Sequence, residues 1–221
     1  MIQFIDVTKT YRTFEGPRTI LRNANFTFDD GHNYGILGAN GSGKSTLLRV
    51  IAGAEFPNSG QVRRNGRVSF PLGFSGTFHT QLSGRRNALF LARVYGADEE
   101  WMAEFVEDFS ELGPYYDMPL QTYSSGMMAK LAFGVSFALD FDIYLIDEAT
   151  EVGDARFRQK CARIFRERIA RSDIIMVSHN GNTIRSYCDR GAVLLDGRLE
   201  IFDSIDEAMR IYNRSLGIID G

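Results

Sequence analysis

Apolar and polar positions alternate at the start of the chain, and this two-residue period predicts strands over Ile2–Asp6 and Thr19–Phe28, with Asp29-Asp30-Gly31 as a turn. The short apolar run Tyr34–Leu37 reads as a buried strand, and Leu47–Ala52 as a helix. Pro57-Asn58-Ser59-Gly60 breaks the pattern. Gln61–Phe70 then predicts a hairpin around Asn65-Gly66, followed by a glycine- and phenylalanine-rich loop over 71–80. From Ser83 to about Leu139 the period is helical, interrupted at Gly96-Ala97-Asp98 and at Gly113-Pro114. Strands and helices alternate afterwards: strand Ile143–Ile146, helix Ala155–Ala170, strand Ile174–Val177, short helix Thr183–Tyr187, and strands Ala192–Leu195 and Arg198–Phe202 around Gly197. A last helix begins at Ser204, with Glu207 three residues later in capping-box spacing.

This alternation predicts an α/β fold with a mostly parallel sheet covered on both faces. The helical stretch 83–139 is expected as a separate lobe inserted into a core of about 1–82 and 140–221, all within a single domain. The length of 221 residues, 44% hydrophobic and 24% charged, suits such a domain. A net charge of −3 argues against a nucleic-acid binder, and the small arginine clusters read as solvated faces. The most apolar region, Leu131–Ile146, is interrupted by Asp140 and Asp142 and is too short to span a membrane. Met1–Asp6 does not open like a signal peptide, so a cytoplasmic location is expected. Cys161, in helical register with Phe157, Ile164 and Phe165, reads as core; with Cys188 it offers no metal-like spacing.

Between the strand at Tyr34–Leu37 and the helix at Leu47–Ala52 stands Gly38-Ala39-Asn40-Gly41-Ser42-Gly43-Lys44-Ser45-Thr46, which fits the phosphate-loop pattern in its required context. Its glycines let successive N–H groups turn inward around a polyphosphate, and the helix behind presents its positive end. Lys44 would reach the β- and γ-phosphates, and the Ser45 hydroxyl would sit on Mg²⁺. Asp147-Glu148 follows an apolar strand, at the edge where parallel sheets bind ligands. Asp147 would hold Mg²⁺ in its outer shell, and Glu148 would orient or deprotonate the attacking water. His179, at the end of the next strand, falls at the same edge, near the γ-phosphate. Ser124-Ser125-Gly126 opens a helix, either as a simple cap or as a second anion-binding terminus aimed at a phosphate held by another subunit.

In order and spacing these motifs resemble those of the ATP-binding-cassette (ABC) ATPases, over essentially the whole chain. The resemblance implies an ABC-type fold with an N-terminal antiparallel part, ATP and Mg²⁺ as cofactors, and catalysis of ATP hydrolysis by Glu148, His179 and Lys44. It places Tyr11 on adenine, Ser124, Ser125 and Gly126 in the family signature, and Asp154 in the aspartate loop. It also implies a head-to-tail dimer, with each ATP held between the phosphate loop of one copy and the signature of the other.

The strings Tyr144-Leu145-Ile146-Asp147-Glu148, Val152-Gly153-Asp154-Ala155 and Phe70-Pro71-Leu72-Gly73 look like those of capsular-polysaccharide exporter ATPases, relatives of the O-antigen and teichoic-acid exporters. The chain ends about 42 residues after His179, which leaves no room for the glycan-binding domain some relatives carry and is expected to mark the capsule branch. The implied partners are a separate membrane permease and further capsule-export proteins, with the chain peripheral on the cytoplasmic face of the inner membrane. A groove near Phe74, Phe78, His79 and the start of the 83–95 helix is expected to receive the permease; the alternative is that these phenylalanines pack into the core of the lobe.

Two positions depart from the family pattern. His79, with Gln81 two residues on, stands where a glutamine is usual, and Glu151 replaces a small residue before the aspartate loop. A soluble ABC ATPase and a phosphate-loop kinase are the alternative readings. The acidic balance and the absence of a coiled-coil insertion disfavour the first, and the signature has no role in the second.

Overall fold

The computed structural model describes residues 1–73, 76, 78–147, 154–178 and 181–217. In chain order the elements are β1 (Ile2–Thr13), β2 (Gly16–Phe28), β3 (Tyr34–Leu37), α1 (Lys44–Ala52), β4 (Ser59–Arg64), β5 (Val68–Pro71), α2 (Gly84–Tyr95), α3 (Glu99–Ser110) and α4 (Ser125–Ala138). They continue with β6 (Ile143–Asp147), α5 (Ala155–Ile169), β7 (Asp173–Val177), α6 (Gly181–Tyr187), β8 (Arg190–Leu195), β9 (Arg198–Phe202) and α7 (Ile205–Ser215). They separate into two compact units. The first is made of the described residues of Met1–Pro71, Asp142–Glu148 and Ser172–Gly221; the second holds α2, α3, α4 and α5.

The first unit contains two sheets. Six strands in the order β5-β6-β7-β3-β8-β9 form the larger one, parallel throughout except for the β8–β9 hairpin. Its central strands are buried along nearly their whole length, which is why they read as continuous apolar runs rather than alternating ones. The smaller sheet is antiparallel in the order β2-β1-β4. Leu47, Leu48, Val50 and Ile51 of α1 share one core with Ile2, Phe4 and Val7 of β1 and with Ile36, Leu145 and Val177 of the larger sheet. The helix that follows the phosphate loop is thereby clamped against both sheets.

Two expectations change. β1 does not stop at Asp6 but runs on to Thr13 through a bulge, where Asp6 has φ 49° and the pairing with β2 shifts register between Phe4 and Val7. One extra residue reverses the alternation, so the inward set passes from Ile2 and Phe4 to Val7 and Lys9. The hairpin over Gln61–Phe70 is a correction. The chain does bend at Asn65-Gly66, but β4 pairs with β1 while β5 pairs parallel to β6 in the other sheet. Asp142 takes the place of a hairpin partner: its carboxylate accepts from the Arg67 N–H at 2.6 Å, and its own N–H donates to the Arg67 carbonyl at 2.9 Å.

In the second unit the helices meet around aromatic rings, with Phe109 edge-on to Phe137 at 5.6 Å and to Phe157 at 5.4 Å. Cys161 is buried on the same face of α5 as Phe157 and Phe165. Burial pushes its thiol up to about 11 and that of Cys188 to about 12, so both behave as core rather than as nucleophiles.

Candidate functional site

Strand β3 ends in the middle of the larger sheet, between β7 and β8, and the chain turns there through Gly38–Gly43 into α1. Gly43 precedes the helix with φ 107°, and a Cβ there would lie 2.2 Å from Ile20 Cγ2 of β2. Glycine is therefore required by conformation and by packing alike. It also supplies no side chain to cap α1, so the first-turn N–H groups have no side-chain partner at the N-cap. Lys44 curls back along the loop, its ammonium donating to the Gly38 carbonyl at 2.7 Å and to that of Ala39 at 3.0 Å. Burial holds the Lys44 pKa below the usual lysine value, while the Asp147 carboxylate pulls it the other way. Among the described residues, the Ser42 hydroxyl is the buried side-chain oxygen without a hydrogen-bond partner.

Asn40, Gly41, Gly43, Lys44, Ser45 and Thr46 line a cavity of about 470 Å³. Its other walls are Tyr11, Thr13, Arg18 and Ile20 from the smaller sheet, with Asp147 and Val177 from the ends of β6 and β7. The sheet register explains the last two: Asp147 pairs with Val177, and Val177 with Ile36, which sets Asp147 two strands from the root of the phosphate loop. At the usual strand spacing that is roughly 10 Å between backbones, close enough for a side chain to share the cavity with Lys44 and Ser45.

Tyr11 is held from behind. Its hydroxyl donates to Glu55 and approaches Thr46 Oγ1 at 3.5 Å, and Lys9 Nζ lies 5.0 Å from its ring centroid. Glu55 also receives Lys9 at 2.8 Å and Arg49 at 3.1 Å, while Arg49 donates to Thr46 at 3.0 Å. Lys9, Glu55, Arg49 and Arg18 are the parts of this site that motif reasoning missed. The sequence carried no signal for them: Lys9 lies past Asp6, where the predicted strand stopped, and it turns inward only because of the bulge.

The remaining expected site residues stand as follows. Ser124 is the N-cap of α4, its hydroxyl accepting from the Met127 N–H at 3.2 Å, with Ser125 and Gly126 exposed in the first turn. Asp154 caps α5 in the same way, accepting from the Phe157 N–H at 2.9 Å; that bond holds its carboxyl below the usual range. His79 and Gln81 are both exposed; the His79 backbone is clamped by the buried Asn87 amide, whose oxygen accepts from its N–H at 2.8 Å. Phe78 is half-buried. Glu148, Glu151, His179 and Phe74 lie outside the described residues.

A strand–loop–helix that wraps a polar cavity, with a lysine, a hydroxyl and a carboxylate converging on it, defines a phosphate-loop nucleotide-binding protein. The chain belongs to the ABC transporter family, whose model matches residues 21–151, and it is an ATPase of that family. It is 45% identical to the polysialic acid transport ATP-binding protein KpsT of Escherichia coli, over 98% of this chain and 100% of that one. It is 46% identical to the capsule polysaccharide export ATP-binding protein CtrD of Neisseria meningitidis serogroup B, over 96% of this chain and 99% of the relative. Its fold matches that of an ATP-binding cassette solved as a dimer in a post-hydrolysis state with ADP and Pi, at a TM-score of 0.75 and 22% identity, over 93% of this chain and 99% of the other. Among the described residues, no helix is long and apolar enough to cross a membrane.

Proposed function

We propose that this chain hydrolyses ATP to drive export of a capsular or similar long-chain polysaccharide through a separate membrane permease, to which it binds on the cytoplasmic face of the inner membrane. The observation that carries the reading is the cavity in which Lys44, Ser45 and Asp147 meet beside Tyr11. The cargo class follows from near-full-length similarity to proteins named for polysialic acid transport and capsule polysaccharide export.

The residues fit ATP with Mg²⁺. The N-terminus of α1, which no side chain caps, the Lys44 ammonium and the unpartnered Ser42 hydroxyl suit a polyphosphate. Ser45 and Asp147 offer hard oxygens in the same cavity, the donor set Mg²⁺ takes when phosphates and water complete its shell. No group of three or more His, Cys, Asp and Glu suited to a metal occurs among the described residues, which suits an ion that arrives with the nucleotide. When bound, Mg²⁺ neutralises the charge of the transferring phosphoryl group. Tyr11 stacks on the adenine, Lys44 holds the β- and γ-phosphates, Glu148 orients the attacking water and takes its proton, and His179 keeps water and γ-phosphate in line. Phosphoryl transfer needs positioning and charge more than covalent chemistry, and apart from the proton taken by Glu148 each role is one of positioning or charge.

Two copies pair head to tail, with Ser124, Ser125 and Gly126 of one closing over the ATP of the other. Further capsule-export proteins carry the polymer beyond the permease, and nucleic acid is not a partner. The test is co-purification with a permease from the same capsule system, with ATPase activity measured in liposomes. The complex should form and hydrolyse ATP, and Lys44→Ala should abolish both hydrolysis and polysaccharide export. A chain that never associates with a permease, yet is fully active alone, overturns the transport reading in favour of a soluble ABC ATPase.

A further inference from the structure

The cavity holds a second cation that the phosphate-loop pattern does not account for. Arg18, on β2, lies directly opposite Tyr11 in the β1–β2 ladder, so the two side chains leave the same face of the sheet. Both line the cavity with Lys44. The Arg18 guanidinium donates to the Gly41 carbonyl at the lip of the phosphate loop. A Cβ on Gly41 would come within 3.2 Å of the same guanidinium nitrogen, so loop and arginine are in close approach. Asp147 is the only carboxylate among the described residues lining the cavity, and no ion pair ties it to Arg18. Lys44 likewise rests on loop carbonyls, those of Gly38 and Ala39. The site thus presents two cations to whatever enters it.

We infer that Arg18 is a nucleotide-binding residue that holds the α-phosphate, an inference that rests on the phosphate-loop site being the ATP site. Position selects the α-phosphate. Lys44 serves the deep end of the loop beside Ser45 and Asp147, whereas Arg18 stands on the Tyr11 rung, where the base must lie. Between base and β-phosphate, the charged group within reach of that rung is the α-phosphate. A guanidinium suits it, since its fork of N–H donors matches two phosphate oxygens while a third donor keeps its bond to the Gly41 carbonyl.

The α-phosphate is common to ATP and ADP, so the assignment makes a sharp demand on titration calorimetry with MgATP and MgADP. Arg18→Ala should weaken both by the same factor, about tenfold, the usual worth of a charge-assisted hydrogen bond. Arg18→Gln should behave alike, and Arg18→Lys, which keeps the charge but not the fork, should recover only part of the loss. Unchanged affinities in the alanine and glutamine variants overturn the assignment. So does a loss confined to ATP, which would put the guanidinium at the γ-phosphate. Lys44→Ala, titrated in parallel, separates the two levels. If it too leaves both nucleotides bound, the site itself is misplaced; if it abolishes binding while Arg18 variants do not, only the role of Arg18 falls.

Discussion

Three donors converge on one carboxylate at Glu55, and through it the ring of Tyr11 is tied to the first helical turn after the phosphate loop. Burial alone would raise the Glu55 pKa, but the hydrogen bonds from Lys9, Tyr11 and Arg49 outweigh it and hold the group down at about 2. A carboxyl depressed in the folded chain contributes stability that is complete above its ordinary value of 4.5 and is lost as the pH falls toward 2. Glu55→Gln removes the anion facing Lys9, whose exposure is only 8%. The variant should lose about 2 kcal/mol at neutral pH, since a largely buried ammonium is left without its counter-charge. Urea unfolding across pH checks this: the gap between the two proteins should be widest above pH 4.5 and close between there and pH 2. A gap that stays constant through that range would mean Glu55 acts by packing rather than charge. Such a network leaves almost no trace in the sequence, because its members are brought together from β1, α1 and the loop that follows α1. The phosphate loop is legible for the opposite reason, since all its groups are consecutive in the chain.

At the scale of elements, the bulge in β1 decides where Tyr11 points. Asp6 and Asn25 lock it. The Asn25 amide oxygen accepts from the Asp6 N–H at 3.0 Å, and its nitrogen donates to the Asp6 carboxylate at 2.7 Å and to the Asn23 carbonyl at 3.1 Å. Asn25→Ala removes all three at an exposed position, where about 1 kcal/mol of stability should go with them. Affinity for ATP should fall as well, because a relaxed bulge lets Tyr11 and Lys9 slip toward the other face. Thermal unfolding and nucleotide titration on the same sample separate the effects. Lost stability with unchanged ATP affinity would show that the bulge does not aim Tyr11. The bulge also explains why β1 was legible only as far as Asp6. Alternation is a local signal, and one inserted residue inverts it even though the strand continues. The hairpin over Gln61–Phe70 failed for a different reason. Asn65-Gly66 specifies a turn, but β4 and β5 find partners in β1 and β6, far away in the sequence, and no local pattern records that choice. By contrast the buried parallel strands β3, β6 and β7 were legible nearly to the residue, because burial on both faces writes itself as an unbroken apolar run.

For the whole molecule the informative residue is Gly126. It sits in the first turn of α4, exposed, and a Cβ there would meet nothing closer than the Ser124 hydroxyl at 3.9 Å. It is not among the glycines with positive φ, so neither its conformation nor packing among the described residues asks for glycine. Glycine in a helix nonetheless forgoes up to about 1 kcal/mol relative to alanine. A residue that weakens its own helix and is not required by its own fold points to something outside that must come close, and the proposed head-to-tail pair supplies it: the ATP of the second copy. Two variants make this testable. Glu148→Gln should lower hydrolysis by at least about 100-fold while leaving ATP bound, and light scattering should then find a dimer that persists with ATP and dissolves with ADP. Adding Gly126→Ala to that background should leave the protein as stable as before, or slightly more so, with nucleotide affinity of the single chain intact. The ATP-dependent dimer should nevertheless be lost, because a methyl group occupies the space through which α4 reaches the γ-phosphate. A double variant that still dimerises with ATP would remove α4 from the interface, and with it the account of how one copy completes the other's site.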